Sequence, residues 1–154
     1  MILQLTGNQQ MALQALAVRC LGIPYIFGSK APDLNMEPEA IKSIDCSGLT
    51  RYLFYKAGIA DIGEGSNNQF DNSSPYTMPS CGDLAFKSNN GVIEHVAIAL
   101  NQVRQDMSKS LIIIEASGSL CQVVMRDIGS FKTFPHGIDF AGFRGLLTEK
   151  IKML

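Results

Sequence analysis

The hydrophobic pattern of this chain changes its period near residue 81. Before that position, apolar residues recur at helical spacing in two segments. After it, they alternate with polar residues or form short apolar runs between turn residues. Helices followed by antiparallel strands are typical of α+β domains, in which the helices pack on one face of the sheet. We therefore expect residues 1–154 to form a single α+β domain with about five or six antiparallel strands.

The element boundaries follow from caps, periodicity and turn residues. Thr6 and Gln9 match a capping box at the start of the first helix, and a second helix begins at Cys46 and ends before Gly58. The other predicted segments are a short extended piece at 24–28, a surface loop at 29–44 with at most one helical turn, a short helix from Ser66, strands at 83–87, 92–100, 111–116, 122–126 and 140–147, and a polar connection at 101–110.

Composition and charge exclude several classes of function. The net charge is −1 with acids and bases interspersed, so we expect no nucleic-acid partner. The N-terminus has no basic n-region, and no apolar run approaches the length of a membrane span, so we expect a soluble chain without its own signal peptide. The four cysteines are far apart and there are two histidines, so we expect no metal site and no cofactor. The even cysteine number permits disulfides, although a core of this size does not need them.

Cys46 is predicted to open the first turn of the second helix, with Asp45 as its N-cap. Unpaired N–H groups and the helix dipole favour a thiolate at this position, although the adjacent carboxylate opposes it. The spacing of Leu49 and Leu53 directs Cys46 toward the buried face. The alternative reading is a small, inert, buried residue, because free cysteines are commonly of that kind.

His95 is the candidate base, because it lies within a predicted strand whereas His136 lies in a Pro-Gly loop. Ala97 and Ala99 share its side of the strand, and we expect the helix that carries Cys46 to pack on that face. Glu115 ends the next strand and would orient the far nitrogen of His95. The alternatives are a structural sheet histidine and a strand-end carboxylate that faces water.

Several motifs resemble the NlpC family of cell-wall cysteine peptidases. The resemblance extends from about Pro24 to Leu147 and covers nearly the whole chain. The motifs that carry it are Asp45-Cys46-Ser47-Gly48-Leu49, Gly82-Asp83-Leu84, His95-Val96-Ala97-Ile98, the Tyr25 segment, the turn from Ser66 to Gln69, and Phe140-Ala141-Gly142-Phe143-Arg144. The resemblance implies a papain-like α+β fold, with the cysteine at a helix N-terminus.

The resemblance also implies roles for individual residues. Cys46 would be the nucleophile and His95 the base, and the third polar residue, often histidine in the family, would be Glu115. A glutamate in place of the family's usual histidine predicts a changed pH range of activity or a changed substrate. The Tyr25 hydroxyl would lie near the oxyanion, beside the backbone N–H of Cys46.

The substrate implied is a peptidoglycan stem peptide, cleaved between γ-linked D-glutamate and a diamino acid. Asp45 and Ser47 would contact its free amine end. Gly28-Ser29 and the 29–44 segment replace the family's usual Gly-Gly and shorter link, which predicts an altered cleft.

The functional hypothesis is therefore a cysteine peptidase or amidase of the cell wall that acts through an acyl-enzyme. Delivery by a phage particle or a secretion system would fit the lack of a leader. Two alternatives remain at this stage. One is a papain-like hydrolase that acts on another amide or a thioester, and the other is a non-catalytic binding or structural module of the same fold. The oligomeric state is open.

Overall fold

The computed structural model describes residues 1–102 and 109–154, so most of the connection predicted over 101–110 lies outside the described residues. The helices are α1 (Gly7–Cys20), α2 (Cys46–Lys56), α3 (Ser66–Asp71) and α4 (Ile128–Thr133), with a 3-10 turn at Pro38–Ala40. The strands are β1 (Ala60–Asp61), β2 (Ser73–Pro75), β3 (Leu84–Asn89), β4 (Val92–Ala99), β5 (Ile112–Ser117), β6 (Gln122–Asp127), β7 (Asp139–Leu146) and β8 (Lys152–Met153). None of the helices in these ranges is both long and apolar enough to cross a bilayer.

Six strands form one antiparallel sheet in the order β2-β7-β3-β4-β5-β6, and β1 pairs separately with β8. The helices α1, α2 and α3 precede the long strands along the chain and only the short α4 lies among them, which confirms the predicted α+β fold. The sequence pattern did not predict β1, β2, β8 or α4, because strands of two or three residues and a six-residue helix carry too few residues to show a period.

Both long helices begin at the caps that the sequence predicted. The Thr6 side chain accepts a hydrogen bond from the Gln9 backbone N–H, and the Gln9 side-chain oxygen accepts one from the Thr6 backbone N–H. In α2, Asp45 Oδ1 accepts from the Gly48 backbone N–H at 2.7 Å. Cys46 is therefore the first residue of α2.

The expectation that α2 covers Ala97 and Ala99 is wrong. Leu49 and Leu53 of α2 belong to the main core, which contains the opposite face of β4 with Val96 and Ile98, and Leu100 just after it. The alanine face belongs to a second apolar cluster with Phe131 of α4 and partly buried Phe140 and Phe143. The physical reason is that α4, which the sequence did not predict, brings an aromatic ring to the small residues, whereas the helix needs the larger aliphatic face.

His95 still meets Cys46 because β4 and β5 separate at the relevant point. The two strands pair only at Ile98–Ile114 and Ala99–Ile113, so the first half of β4 is not bonded to β5. The first turn of α2 reaches this opening, where Cys46 Sγ lies 3.9 Å from the Glu94 carbonyl oxygen. Cys46 therefore reaches His95 through the opening between β4 and β5, and not by packing of α2 on the face of Ala97 and Ala99.

The segment before α2 runs along the start of β6. The Gly22 N–H donates to the Val123 carbonyl and the Tyr25 N–H to the Cys121 carbonyl, both at 3.0 Å. The Ile44 N–H donates to the Pro24 carbonyl, so this segment also joins the residues that lead into α2. It therefore positions Tyr25 beside the start of α2.

Candidate active site

Hydrogen bonds on several sides fix the turn that carries Cys46. The Asp45 N–H donates to the Ser29 carbonyl at 2.7 Å. The side-chain amide of Gln69, on α3, donates to the Ser47 carbonyl at 3.0 Å and accepts from the Thr50 hydroxyl at 2.6 Å. Gln69 is fully buried, so these bonds form out of contact with water. The Cys46 side chain is therefore held in place before any substrate binds.

His95 links the thiol to a carboxylate. Its Nε2 lies 2.7 Å from Glu115 Oε1, and its side chain is 16% exposed. Burial lowers the pKa of His95, but hydrogen bonds with Cys46 and Glu115 and their negative charges outweigh burial and raise it to about 9. The imidazole is therefore cationic at neutral pH and lies between the Cys46 side chain and the Glu115 carboxylate.

Glu115 is buried rather than facing water, with a side chain that is 2% exposed. Its Oε1 contacts His95, and its Oε2 accepts from Arg126 Nε at 2.6 Å. Burial raises the pKa of Glu115, but His95 and then Arg126 reverse that effect and hold the pKa below its ordinary value. The carboxylate stays charged because two cations share it.

Arg126 is the residue of this cluster that sequence reasoning missed. Its guanidinium bonds Glu115 and also donates to the Phe134 carbonyl at 2.9 Å. In the β5–β6 register Glu115 faces Val124, so Arg126 is its diagonal neighbour on the same side of the sheet. Opposite charges at such diagonal positions were a usable signal, but only once the register of the hairpin was known.

Tyr25 lines a cavity of about 250 Å³ together with His95, Glu115, Ser117 and Ser119. Burial and the negative charges of Cys46 and Asp45 raise the pKa of the Tyr25 hydroxyl. Its ring packs against Gly118, where an added Cβ would lie 3.3 Å from the ring. The hydroxyl therefore stays protonated and can donate a hydrogen bond inside the cleft.

Lys87 is a second missed residue of the cavity wall. It faces His95 across the β3–β4 pair and is 1% exposed. Its ammonium donates to the Phe134 carbonyl at 2.9 Å and lies 4.3 Å from the centre of the Phe131 ring. Burial lowers the pKa of Lys87. This cation adds positive charge to the cavity wall beside His95.

Asp45 and Ser47 flank Cys46, and they already hold an ammonium group of the chain itself. Lys30 Nζ forms an ion pair with Asp45 Oδ2 and donates to Ser47 Oγ at 3.2 Å. The resemblance assigned this pair to the amine of a substrate. Nothing in the sequence indicated that Lys30 reaches it, because the contact spans the loop that begins at Ser29.

The other cysteines lack this environment. Cys20 and Cys81 are buried, and burial raises their pKa values to about 12 and about 11. Cys121 is exposed at the start of β6, and all four cysteines are free. His136 is exposed. The geometry therefore brings together Cys46, His95 and Glu115, with Tyr25, Asp45 and Ser47 around them.

The α+β fold, with a cysteine that opens a helix against a histidine-bearing sheet, is the papain-like class. A sequence profile of the NlpC/P60 family matches residues 22–128, and the chain belongs to this family. The matched range contains every residue of the site described above except Phe131 and Phe134, which lie beyond residue 128.

Two curated relatives match more than half of the chain. It is 33% identical over 91 residues to "Protein P54" of Enterococcus faecium, and 35% identical over 89 residues to "Probable endopeptidase p60" of Listeria grayi. These matches cover 58% and 56% of this chain. They span 16% of the length of each relative.

Solved structures share the fold. A lipoprotein-like protein of the NLP/P60 family from Staphylococcus aureus aligns with a TM-score of 0.70 at 22% identity, over 95% of this chain and 44% of that one. The P60 domain of an antigen from M. avium subspecies paratuberculosis aligns at 0.63 and 24% identity, over 90% and 94%. An N-acetylmuramoyl-L-alanine amidase from Bacteroides uniformis aligns at 0.56 and 11% identity, over 96% and 100%.

Proposed function

We propose that this chain is a cysteine hydrolase that cleaves an amide bond in peptidoglycan stem peptides through an acyl-enzyme. The observation that carries the proposal is the chain of contacts from Cys46 through His95 to Glu115, in which the imidazole has a pKa of about 9. Membership of the NlpC/P60 family and a relative named as a probable endopeptidase support cell-wall peptide as the substrate.

The reaction begins with attack of the Cys46 thiolate on the carbonyl carbon of the scissile amide. The carbonyl π pair moves to the oxygen, where the Cys46 backbone N–H and the Tyr25 hydroxyl stabilise the oxyanion. As the intermediate collapses, the C–N bond breaks and the imidazolium of His95 gives its proton to the leaving amine. The product of this half-reaction is a thioester on Cys46.

Hydrolysis of the thioester completes the cycle. Neutral His95 takes a proton from water, and the resulting hydroxide attacks the thioester carbonyl. The C–S bond then breaks, which releases a carboxylic acid and restores the thiolate–imidazolium pair. Glu115 keeps one ring nitrogen of His95 engaged throughout, so that the other faces Cys46.

The test is digestion of purified muropeptides with the wild-type protein and with Cys46→Ala, followed by mass spectrometry of the products. We expect a new amine and a new carboxylate from one amide, and a loss of at least about a thousandfold in rate for Cys46→Ala. Cys121→Ala is the matched control, because Cys121 is exposed and lies outside the site, and it should keep wild-type activity. Retained activity in Cys46→Ala would refute the mechanism.

The products also separate the alternatives. Turnover of simple thioesters or unrelated amides without turnover of muropeptides would indicate a different acyl group. Binding of stem peptides without turnover by the wild-type protein would indicate a non-catalytic module.

A further inference from the structure

The ion pair of Lys30 beside Cys46 bears on which substrates this site accepts. Lys30 Nζ contacts Asp45 Oδ2 and Ser47 Oγ, which belong to the residues immediately before and after Cys46. Asp45 and Ser47 are 7% and 5% exposed, whereas the Lys30 side chain is 35% exposed. Two buried acceptors therefore form an ammonium site at the nucleophile, and a partly exposed lysine of the chain fills it.

The backbone holds Lys30 close to this site. The preceding residue, Ser29, accepts from the Asp45 N–H, and its hydroxyl lies 2.7 Å from the Ser43 hydroxyl. These bonds join the two ends of the 29–44 segment. The Lys30 stem lies along the first turn of α2, where a Cβ added to Gly48 would be 3.2 Å from Lys30 Cδ. The Lys30 ammonium therefore has a high effective concentration at its acceptors.

A substrate amine would need the same acceptors. An extended peptide spans about 3.3–3.6 Å per residue, so an amino group one or two residues on the acyl side of the attacked carbonyl falls within reach of Asp45. A charged amine there meets the Lys30 ammonium and must displace it. An acylated amine brings a carbonyl oxygen instead, and an ammonium has three N–H groups, of which Asp45 and Ser47 use two.

We propose that Lys30 makes this site select substrates whose acyl-side amino group is acylated, and reject those with a free amine. This inference rests on the proposed function and refines its substrate class. Lys30 occupies the ammonium site and offers its remaining N–H to the carbonyl of the acylated amine. The chemical class of substrate is a stem peptide that is still attached through its N-terminus to an acyl group.

The experiment compares one stem peptide in two forms, with a free and with an acetylated N-terminus. For the wild type, we expect kcat/KM to be at least about tenfold higher for the acetylated peptide, a difference of about 1.4 kcal/mol. Lys30→Met keeps the length of the stem and removes the charge, so it should lower this ratio about tenfold or invert it. Lys30→Arg should keep the preference. Lys42→Met is the matched control, because Lys42 belongs to the same segment and is exposed, and it should change nothing.

A wild-type preference for the free amine would overturn the inference without any variant. An unchanged ratio in an active Lys30→Met protein would overturn it as well. If neither peptide is cleaved, the proposed function fails for stem peptides, and the affinities of the Cys46→Ala protein for the two peptides decide the inference separately. Tighter binding of the acetylated form supports it, and equal, reversed or undetectable binding overturns it.

Discussion

His95 lies between two groups that both stabilise its protonated form. Although burial lowers its pKa, the contacts with Cys46 and Glu115 raise it to about 9. Activity that depends on the imidazolium as proton donor should therefore extend to about pH 9 before it declines. The width of the active pH range is thus determined by the two residues that contact one imidazole ring.

Glu115→Gln tests this account at the residue scale. The amide oxygen can still accept from Arg126, but the negative charge beside His95 is lost, so the pKa of His95 should fall toward its ordinary value of 6.5. In a profile of kcat/KM from pH 5 to pH 10, the alkaline limb should move to lower pH. The exposed Glu64→Gln is the control and should leave the profile unchanged. An unmoved alkaline limb in Glu115→Gln would remove Glu115 from this role.

The β5–β6 hairpin is the element that supplies the carboxylate together with its second cation. Glu115 is 2% exposed and Arg126 is 10% exposed at the side chain, so the pair is buried between the strands and α4. Arg126 also donates to the carbonyls of Ser130 and Phe134. It thereby connects β6 to the segment that follows α4. The hairpin therefore contributes the Glu115 carboxylate to the site, and its Arg126 side chain links β6 to α4 and the residue after it.

Arg126→Met should destabilise the protein by about 3 kcal/mol, because it leaves a buried carboxylate with one partner fewer. Urea denaturation at neutral pH measures the change. The contrasting variant is Arg19→Met, which breaks ion pairs with Glu37 and Glu39. Those groups are 43% to 63% exposed, so water screens the ion pairs and the cost should be much smaller than that of Arg126→Met. Equal costs for the two variants would contradict the account of the hairpin.

The sequence was sufficient to predict the longer helices and strands, but neither the short elements nor the contacts between elements. Asp45 as cap and Cys46 as first helical residue could be read locally, because capping needs only neighbouring residues. The face on which α2 packs could not, since it depends on α4, a helix too short to show a period. Arg126 and Lys30 escaped for a related reason. The contact of Arg126 with Glu115 depends on the register of the β5–β6 hairpin, and the contact of Lys30 with Ser47 depends on the path of the loop that follows Ser29.

At the scale of the whole molecule, ionised carboxylates join distant parts of the fold. Glu115 connects the central strands to α4 through Arg126, and Asp61 of β1 binds Arg51 of α2 at 2.8 Å. Partner hydrogen bonds hold the pKa values of both acids below their ordinary values, 4.5 and 3.8, against the opposing effect of burial. A depressed pKa means that the unfolded chain binds protons first as the pH falls.

The contribution of these carboxylates to the free energy of unfolding should therefore be complete above about pH 4.5 and be lost as the solution becomes more acidic. Urea midpoints measured from pH 7 to pH 2 would show the decline. Asp61→Asn should be less stable at pH 7. Its stability should also fall less steeply with acid, because the unfolded chain then takes up one proton fewer than the wild type does. Asp139→Asn, at an exposed position, should follow the wild type. A steeper decline in Asp61→Asn would contradict the linkage.

The hydrogen bonds between the Tyr25 segment and the start of β6 also affect self-association. A strand at the edge of a sheet presents unpaired backbone groups that can recruit another chain. Here residues 22–25 cover the first residues of β6, and the opposite edge strand, β2, is three residues long and ends in Pro75. A chain that added to β6 at this point would have to displace the segment that carries Tyr25. Aggregation by that route would therefore disrupt the proposed active site as it began, and loss of the proposed activity would precede visible precipitation.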